Sequence, residues 1–266
     1  MSRRRGLVAG AVVLSFALVG CSDVAATESG PAATPSSSTS SSSTPATSTT
    51  PSSTPSPTPT AKPTTTTKPK PKVKQNPQYY ALRVERQLDK LGYPVGDVDG
   101  DITVRAKQAL CAWRETHGMP VSRKGLSLAD AYSVLNATRK PTPTREPGIY
   151  VNKTCQVAYQ IVGKAYKRIV WVSTGAPGHE TPNRTGKVWR KWAGAHESSL
   201  YPEAYMYDSL YFLRDRPGIA LHGSRVNSLV KPYPASHSCV RVPRPEISQI
   251  FNETPIGTKV QVYGDY

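Results

Sequence analysis

The sequence predicts a mainly β protein: a small β-sandwich or partly closed barrel in its second half, preceded by a small three-helix unit. Three observations predict it. Apolar residues recur at helical spacing between about Tyr79 and Lys140. From Ile149 onward they recur at every second position, with glycines and prolines at short intervals. A Ser/Thr/Pro-rich stretch separates both from the N-terminus, so the 266 residues divide into two small domains rather than one large one.

The N-terminus opens with Ser2-Arg3-Arg4-Arg5, followed by an apolar run from Leu7 to Val19 and the tetrad Leu18-Val19-Gly20-Cys21. A positive start orients such a segment, and the run is too short to span a bilayer comfortably. Residues 1–21 are therefore read as a signal peptide. The tetrad resembles a bacterial lipobox, which implies that Cys21 is acylated on sulfur and becomes a lipid-anchored mature N-terminus. The protein is expected at the outer face of the plasma membrane or in the cell wall.

Residues 22–78 are Ser, Thr, Pro and Ala, with lysines in the last third and few side chains large enough to pack. Such a chain cannot offset the entropy of ordering, so it reads as a disordered linker, spanning about 40 Å as a flexible coil. The net charge of +16 is spread out: +3 in residues 1–21, +3 in 22–78, +3 in 79–140 and +7 beyond. For an exported protein the polyanions within reach are wall polymers and lipid headgroups. No basic motif interleaved with aromatics points to nucleic acid.

Three helical patterns follow: Val84, Leu88 and Leu91; Ile102, Ala106, Ala109 or Leu110, and Trp113; and Leu128, Tyr132 and Leu135. Between the first two lies the turn-rich run Leu91-Gly92-Tyr93-Pro94-Val95-Gly96-Asp97-Val98-Asp99-Gly100-Asp101. With its flanking helices, the run resembles a peptidoglycan-binding domain over residues 79–140. Asp97, Asp99 and Asp101 alternate as at the start of an EF-hand loop. That loop needs glycine at its sixth position and glutamate at its twelfth, where this chain has Ile102 and Gln108, so a solvated turn is expected.

In residues 148–264, Val157, Tyr159 and Ile161 alternate, as do Ile169, Trp171 and Ser173, and Val260 with Val262. One short helix, Glu246 to Asn252, follows Pro245.

An exported chain lives where unpaired thiols are unusual. With Cys21 acylated, three cysteines remain. Cys111 with Cys155 is the expected disulfide, clamping the two domains and leaving Cys239 free. Closing a loop of about 44 residues contributes roughly 4 kcal/mol in the chain-entropy model. Cys111 with Cys239 is the competing pairing. No CxxC pair occurs and the five histidines show no repeated ligand spacing, so neither a metal nor another cofactor is expected.

A free cysteine becomes a nucleophile only as thiolate, which calls for a neighbouring base and a third group that fixes the base. His237 shares an extended segment with Cys239, whereas His222 arrives on the preceding strand and can approach the sulfur from across the site. His222 is the expected base. Here the residues resemble a family. His222-Gly223-Ser224 and Ser236-His237-Ser238-Cys239-Val240-Arg241 look like the signature of the L,D-transpeptidase (YkuD-type) catalytic domain. Val172-Ser173-Thr174-Gly175, Thr181-Pro182 through Gly186, and Met206-Tyr207 with Leu210-Tyr211-Phe212 resemble further parts of it.

The resemblance implies the family's own β-sandwich and a reaction on peptidoglycan stem peptides. Cys239 attacks the bond between a diamino acid and a terminal D-alanine and keeps the acyl group as a thioester. The side-chain amine of a neighbouring stem then takes that group. His222 moves the protons, the Gly223 carbonyl orients its ring, and His237 shapes the site. Backbone N–H groups around Ser238 stabilise the oxyanion. Arg241 orients the thiolate or holds a carboxylate, and Tyr205, Tyr207 and Ser236 contact substrate.

The family's signature carries glycine where this chain has Ser238. Serine there costs about 1 kcal/mol if φ must be positive. A second reading follows: a monomeric, lipid-anchored wall-binding protein with impaired turnover. Passing the thioester to water or to a protein amine is a variant of the first.

Overall fold

The computed structural model describes residues 76–266. The expected signal peptide, the acylated Cys21 and nearly all of the linker lie outside the described residues. Among the described residues no helix is long and apolar enough to cross a membrane, and no group of three or more His, Cys, Asp or Glu could hold a metal ion.

A 3-10 turn, Pro77–Tyr80, leads into α1 (Ala81–Lys90), α2 (Val104–Thr116) and α3 (Leu128–Asn136). The start of this turn falls within the residues expected to be linker. The Asn76 carboxamide accepts the Gln78 N–H, and the Gln78 side chain donates to the Gly100 carbonyl at 2.8 Å. Thr103 caps α2, and Ser127 with Asp130 forms a reciprocal capping box on α3.

The expected face of α1 is the buried one: Val84 and Leu88 are sealed. The third helix differs from its expected face. Ala131 and Val134 are buried and Tyr132 is 44% exposed. The reason is the buried bidentate pair between Arg114 of α2 and Asp130 of α3, which fixes the rotation of this short helix. The acidic turn is a local one, in which Asp99 accepts the Asp101 N–H and Glu85 accepts the Gly100 N–H.

Nine strands follow. β1 (Gly148–Asn152), β2 (Val157–Val162), β3 (Ala165–Trp171), β4 (Thr185–Lys187) and β9 (Lys259–Tyr263) make one sheet in the order β3-β2-β1-β9-β4. β5 (Arg190–Glu197), β6 (Tyr205–Tyr211), β7 (Ala220–Ser224) and β8 (Val240–Val242) make the other, in that order. α4 runs Arg244–Glu253, starting two residues earlier than expected. Pro245 lies in its first turn, where a missing N–H costs nothing.

The sheets enclose one core that includes Val151, Val170, Leu210, Leu221, Val240 and Val260, with Ile247 and Ile250 of α4. Each such side chain contributes about 2 kcal/mol when fully buried. The alternating Val157, Tyr159 and Ile161 face the other way. They share a core with Leu88, Leu110 and Trp113 of the helices, so β2 is buried on both faces. The helices thus roof the first sheet.

Candidate active site

β7 and β8 are parallel neighbours, with Leu221 opposite Val240 and His222 opposite Arg241. Leu221, Val240 and Val242 point into the sandwich core. Side chains alternate along strands, so Ala220, His222, Cys239 and Arg241 share the opposite face. There His222, Cys239 and Arg241 line a pocket of about 320 Å³ with Tyr201, Tyr205 and Met206.

Cys111 and Cys155 form a disulfide, and Cys239 is the free cysteine among the described residues. Its thiol sits on Met206, Tyr211 and Ala220 and donates to the Gly218 carbonyl at 3.5 Å. A Cβ on Gly218 would meet Leu200 side-chain atoms at 2.6 Å, so glycine lets the chain carry that carbonyl under Leu200. Burial pushes the Cys239 thiol up to about 11, against the opposing pull of the Ala220 N–H and the Arg241 charge.

The His222 ring is buried. Burial brings its pKa down to about 4, and the Arg241 and His196 charges add to that, while the bond to Gly223 opposes it. Nδ1 lies 2.8 Å from the Gly223 carbonyl. A carbonyl can only accept, so Nδ1 carries the proton and Nε2 is left as the basic atom. At neutral pH the resting site is a neutral thiol beside a neutral imidazole.

Ser238 has φ +75, the left-handed region that favours glycine. Its hydroxyl donates to the His179 carbonyl at 3.0 Å. That bond, at about 1 kcal/mol, is of the size of the backbone cost. His179 belongs to a tight turn in which a Cβ on Gly175 would lie 1.9 Å from the His179 carbonyl oxygen. Glycine at the end of the Val172–Gly175 run is therefore a steric necessity.

The exposed His237 lines the pocket and packs at a tilt between the His179 and Tyr201 rings, 4.7 and 4.6 Å away. Ser236 is 1% exposed and donates to the Cys239 carbonyl at 2.5 Å. Its hydroxyl is thus engaged with the backbone, while the residue lines the pocket. The Arg241 guanidinium donates to the Ala235 and Leu229 carbonyls at 3.0 and 3.4 Å, fastening the loop over the pocket.

Tyr205 lines the pocket, 40% exposed. Tyr207 does not. It pairs with Gly223 and lies beneath the Arg244 guanidinium at 4.1 Å, on the α4 side of the sheet. A bulge between Tyr207 and Leu210 changes which side chains reach the pocket face.

Residues given no site role in the sequence reading also build the site. Tyr211 and Met206 form its floor, and His196 lies 3.3 Å from the Tyr211 hydroxyl and stacks on Trp192 at 4.5 Å. Only the pairing of β5 with β6 brings them together, and no local motif announces it.

Residues 146–262 match the family model for YkuD, the L,D-transpeptidase catalytic domain. An L,D-transpeptidase of Xylanimonas cellulosilytica is 28% identical with a TM-score of 0.48, over 69% of this chain and 92% of that one. One of Stackebrandtia nassauensis is 21% identical with a TM-score of 0.44, over 70% and 91%. No curated protein matches the chain.

Proposed function

Because residues 146–262 carry a YkuD-type L,D-transpeptidase catalytic domain, we propose that this protein crosslinks peptidoglycan through a Cys239 thioacyl-enzyme. The single observation that carries the reading is the shared sheet face. A free, buried Cys239, one residue before β8, and a His222 on β7 whose Nδ1 is tied to the Gly223 carbonyl line one pocket.

Both groups are neutral at rest, so the thiol proton moves to His222 Nε2 as the sulfur closes on the donor carbonyl. The Arg241 charge favours the thiolate. Backbone N–H groups beside the left-handed Ser238 take the oxyanion, each worth about 3 kcal/mol. Collapse of the intermediate breaks the C–N bond. His222 returns its proton to the departing D-alanine amine, and the acyl group stays on sulfur. The side-chain amine of a second stem attacks the thioester, loses a proton to His222, and the thiolate leaves and is reprotonated. One amide replaces another, so no nucleotide is consumed.

An acylated Cys21 would tether the enzyme to the outer face of the membrane, and its basic surface suits a polyanionic wall. Incubating the protein with a donor tetrapeptide stem and an acceptor stem tests the reading by mass spectrometry. A crosslinked dimer with loss of D-alanine, absent with Cys239→Ala, is expected. Binding to wall polymer with no D-alanine release would establish the second reading, that of a wall-binding protein with impaired turnover, which the strained Ser238 favours.

A further inference from the structure

Helix α2 presents Arg105, Gln108 and Cys111 at intervals of three, on one face, toward the β half. Cys111 is joined to Cys155. The next residue, Gln156, is fully buried with φ +52, a backbone state that persists only when its surroundings enforce it. The Gln108 carboxamide donates to the Gln156 carbonyl at 2.9 Å. The Gln156 carboxamide clasps Thr174, accepting its N–H at 2.9 Å and donating to its hydroxyl at 2.7 Å.

The Thr174 carbonyl then accepts the N–H groups of Ala235 and Ser236 at 2.8 and 3.0 Å. Ser236 donates to the Cys239 carbonyl. A second route is shorter. Arg105 reaches across the molecule to the Val230 carbonyl at 2.5 Å and also donates to the Gln108 carboxamide oxygen at 3.1 Å. Both routes end on the segment from Val230 to Cys239, and neither Arg105 nor Gln108 lines the pocket.

We propose that α2 sets the register of the nucleophile, with Arg105 and Gln108 as positioning residues that hold the Val230–Cys239 segment from behind. On this account the helical unit acts on the chemistry through the fold, without touching substrate. The opposite end of α2 supplies the control. There Glu115 accepts from Asn152, Tyr159 and Tyr263, partly buried bonds to the β half outside the Val230–Cys239 segment.

The proposal rests on Cys239 as the nucleophile, and the test separates the two. In the full chain, Arg105→Ala with Gln108→Met, which removes the donors without burying a charge, is compared with Tyr263→Phe. Two rates are read by intact mass: acylation of Cys239 by a carbapenem, and its alkylation by iodoacetamide against pH. Displacing a nucleophile by a fraction of an ångström costs of order tenfold. The double variant is expected to lose about tenfold in acylation while its alkylation midpoint falls, because a loosened segment exposes the thiol.

Arg105→Lys is expected to recover most of the acylation rate, and Tyr263→Phe to stay within about twofold in both assays while lowering the melting temperature. Acylation by the double variant within twofold of the parent protein, or a Tyr263→Phe variant that reproduces the loss, would overturn the proposal. If the parent protein itself forms no carbapenem adduct, the transpeptidase reading fails and the alkylation midpoint decides alone: lowered supports the positioning role, unchanged overturns it. Should the double variant not fold, Gln108→Met alone is read the same way.

Discussion

The interface under α2 and the pocket on the second sheet both bury polar groups, and they treat them in opposite ways. Beneath the helix, Glu115 accepts from Asn152, Tyr159 and Tyr263 and pairs with Arg145 at 3.0 Å. In the pocket, Cys239 has one weak carbonyl contact and His222 keeps Nε2 without a partner. A satisfied buried network holds position. Burial in the pocket favours the neutral form of both groups. The difference teaches where this fold puts stability and where it puts reactivity.

The sharpest way to break the comparison is at the two cysteine sites. Cys239→Ala is expected to remove at least a thousandfold of acyl transfer with little change in stability, read by product mass and thermal unfolding. Cys111→Ser with Cys155→Ser opens a link between residues 44 apart. It is expected to cost about 4 kcal/mol in denaturant unfolding. Glu115→Ala strands its donors and is expected to cost about 3 kcal/mol, with the acylation rate of the folded protein preserved.

The pH dependence sharpens it further. The folded Cys239 pKa is raised, so its contribution to stability is complete below the ordinary thiol value and is lost as pH rises through about 11. The His222 value is lowered, so its contribution is complete above the ordinary imidazole value and is lost as pH falls through about 4. Iodoacetamide alkylation should therefore titrate near 11 in the folded protein and near 8.5 in urea, where the thiol is ordinary. The smallest effect belongs to Ser238→Gly. Relief of its positive φ is offset by loss of the hydrogen bond to His179, so turnover is expected within about threefold and stability within about 1 kcal/mol.

Much of the site was legible because its chemistry is local. His222 and Gly223 lie on β7 and Cys239 immediately precedes its parallel neighbour β8, so short motifs carry all three. Ser238 drew notice from its place before Cys239, and its φ of +75 is the left-handed backbone state that favours glycine. Tyr207 misled because a bulge in β6 shifts the phase of its strand, which alternation cannot reveal. Ser236 lines the pocket with its hydroxyl bonded to the Cys239 carbonyl, a partner that an extended segment does not reveal. The roof over β2 was hidden for a related reason. Val157, Tyr159 and Ile161 read as an inward face, but they pack on the helices while Ala158 faces the sandwich core. The partners of Arg105, Gln108 and Glu115 on α2 lie far away in sequence, so no local pattern announces them.

The most direct test of the central claim, that Cys239 is a working nucleophile in a formed site, is the intact mass of the full chain after exposure to a carbapenem. Cys239→Ala and His222→Ala serve as controls. The account predicts one adduct per chain, absent in the first control and strongly slowed in the second. A folded protein with its Cys239 thiol free and no adduct, or an adduct that survives Cys239→Ala, would contradict it.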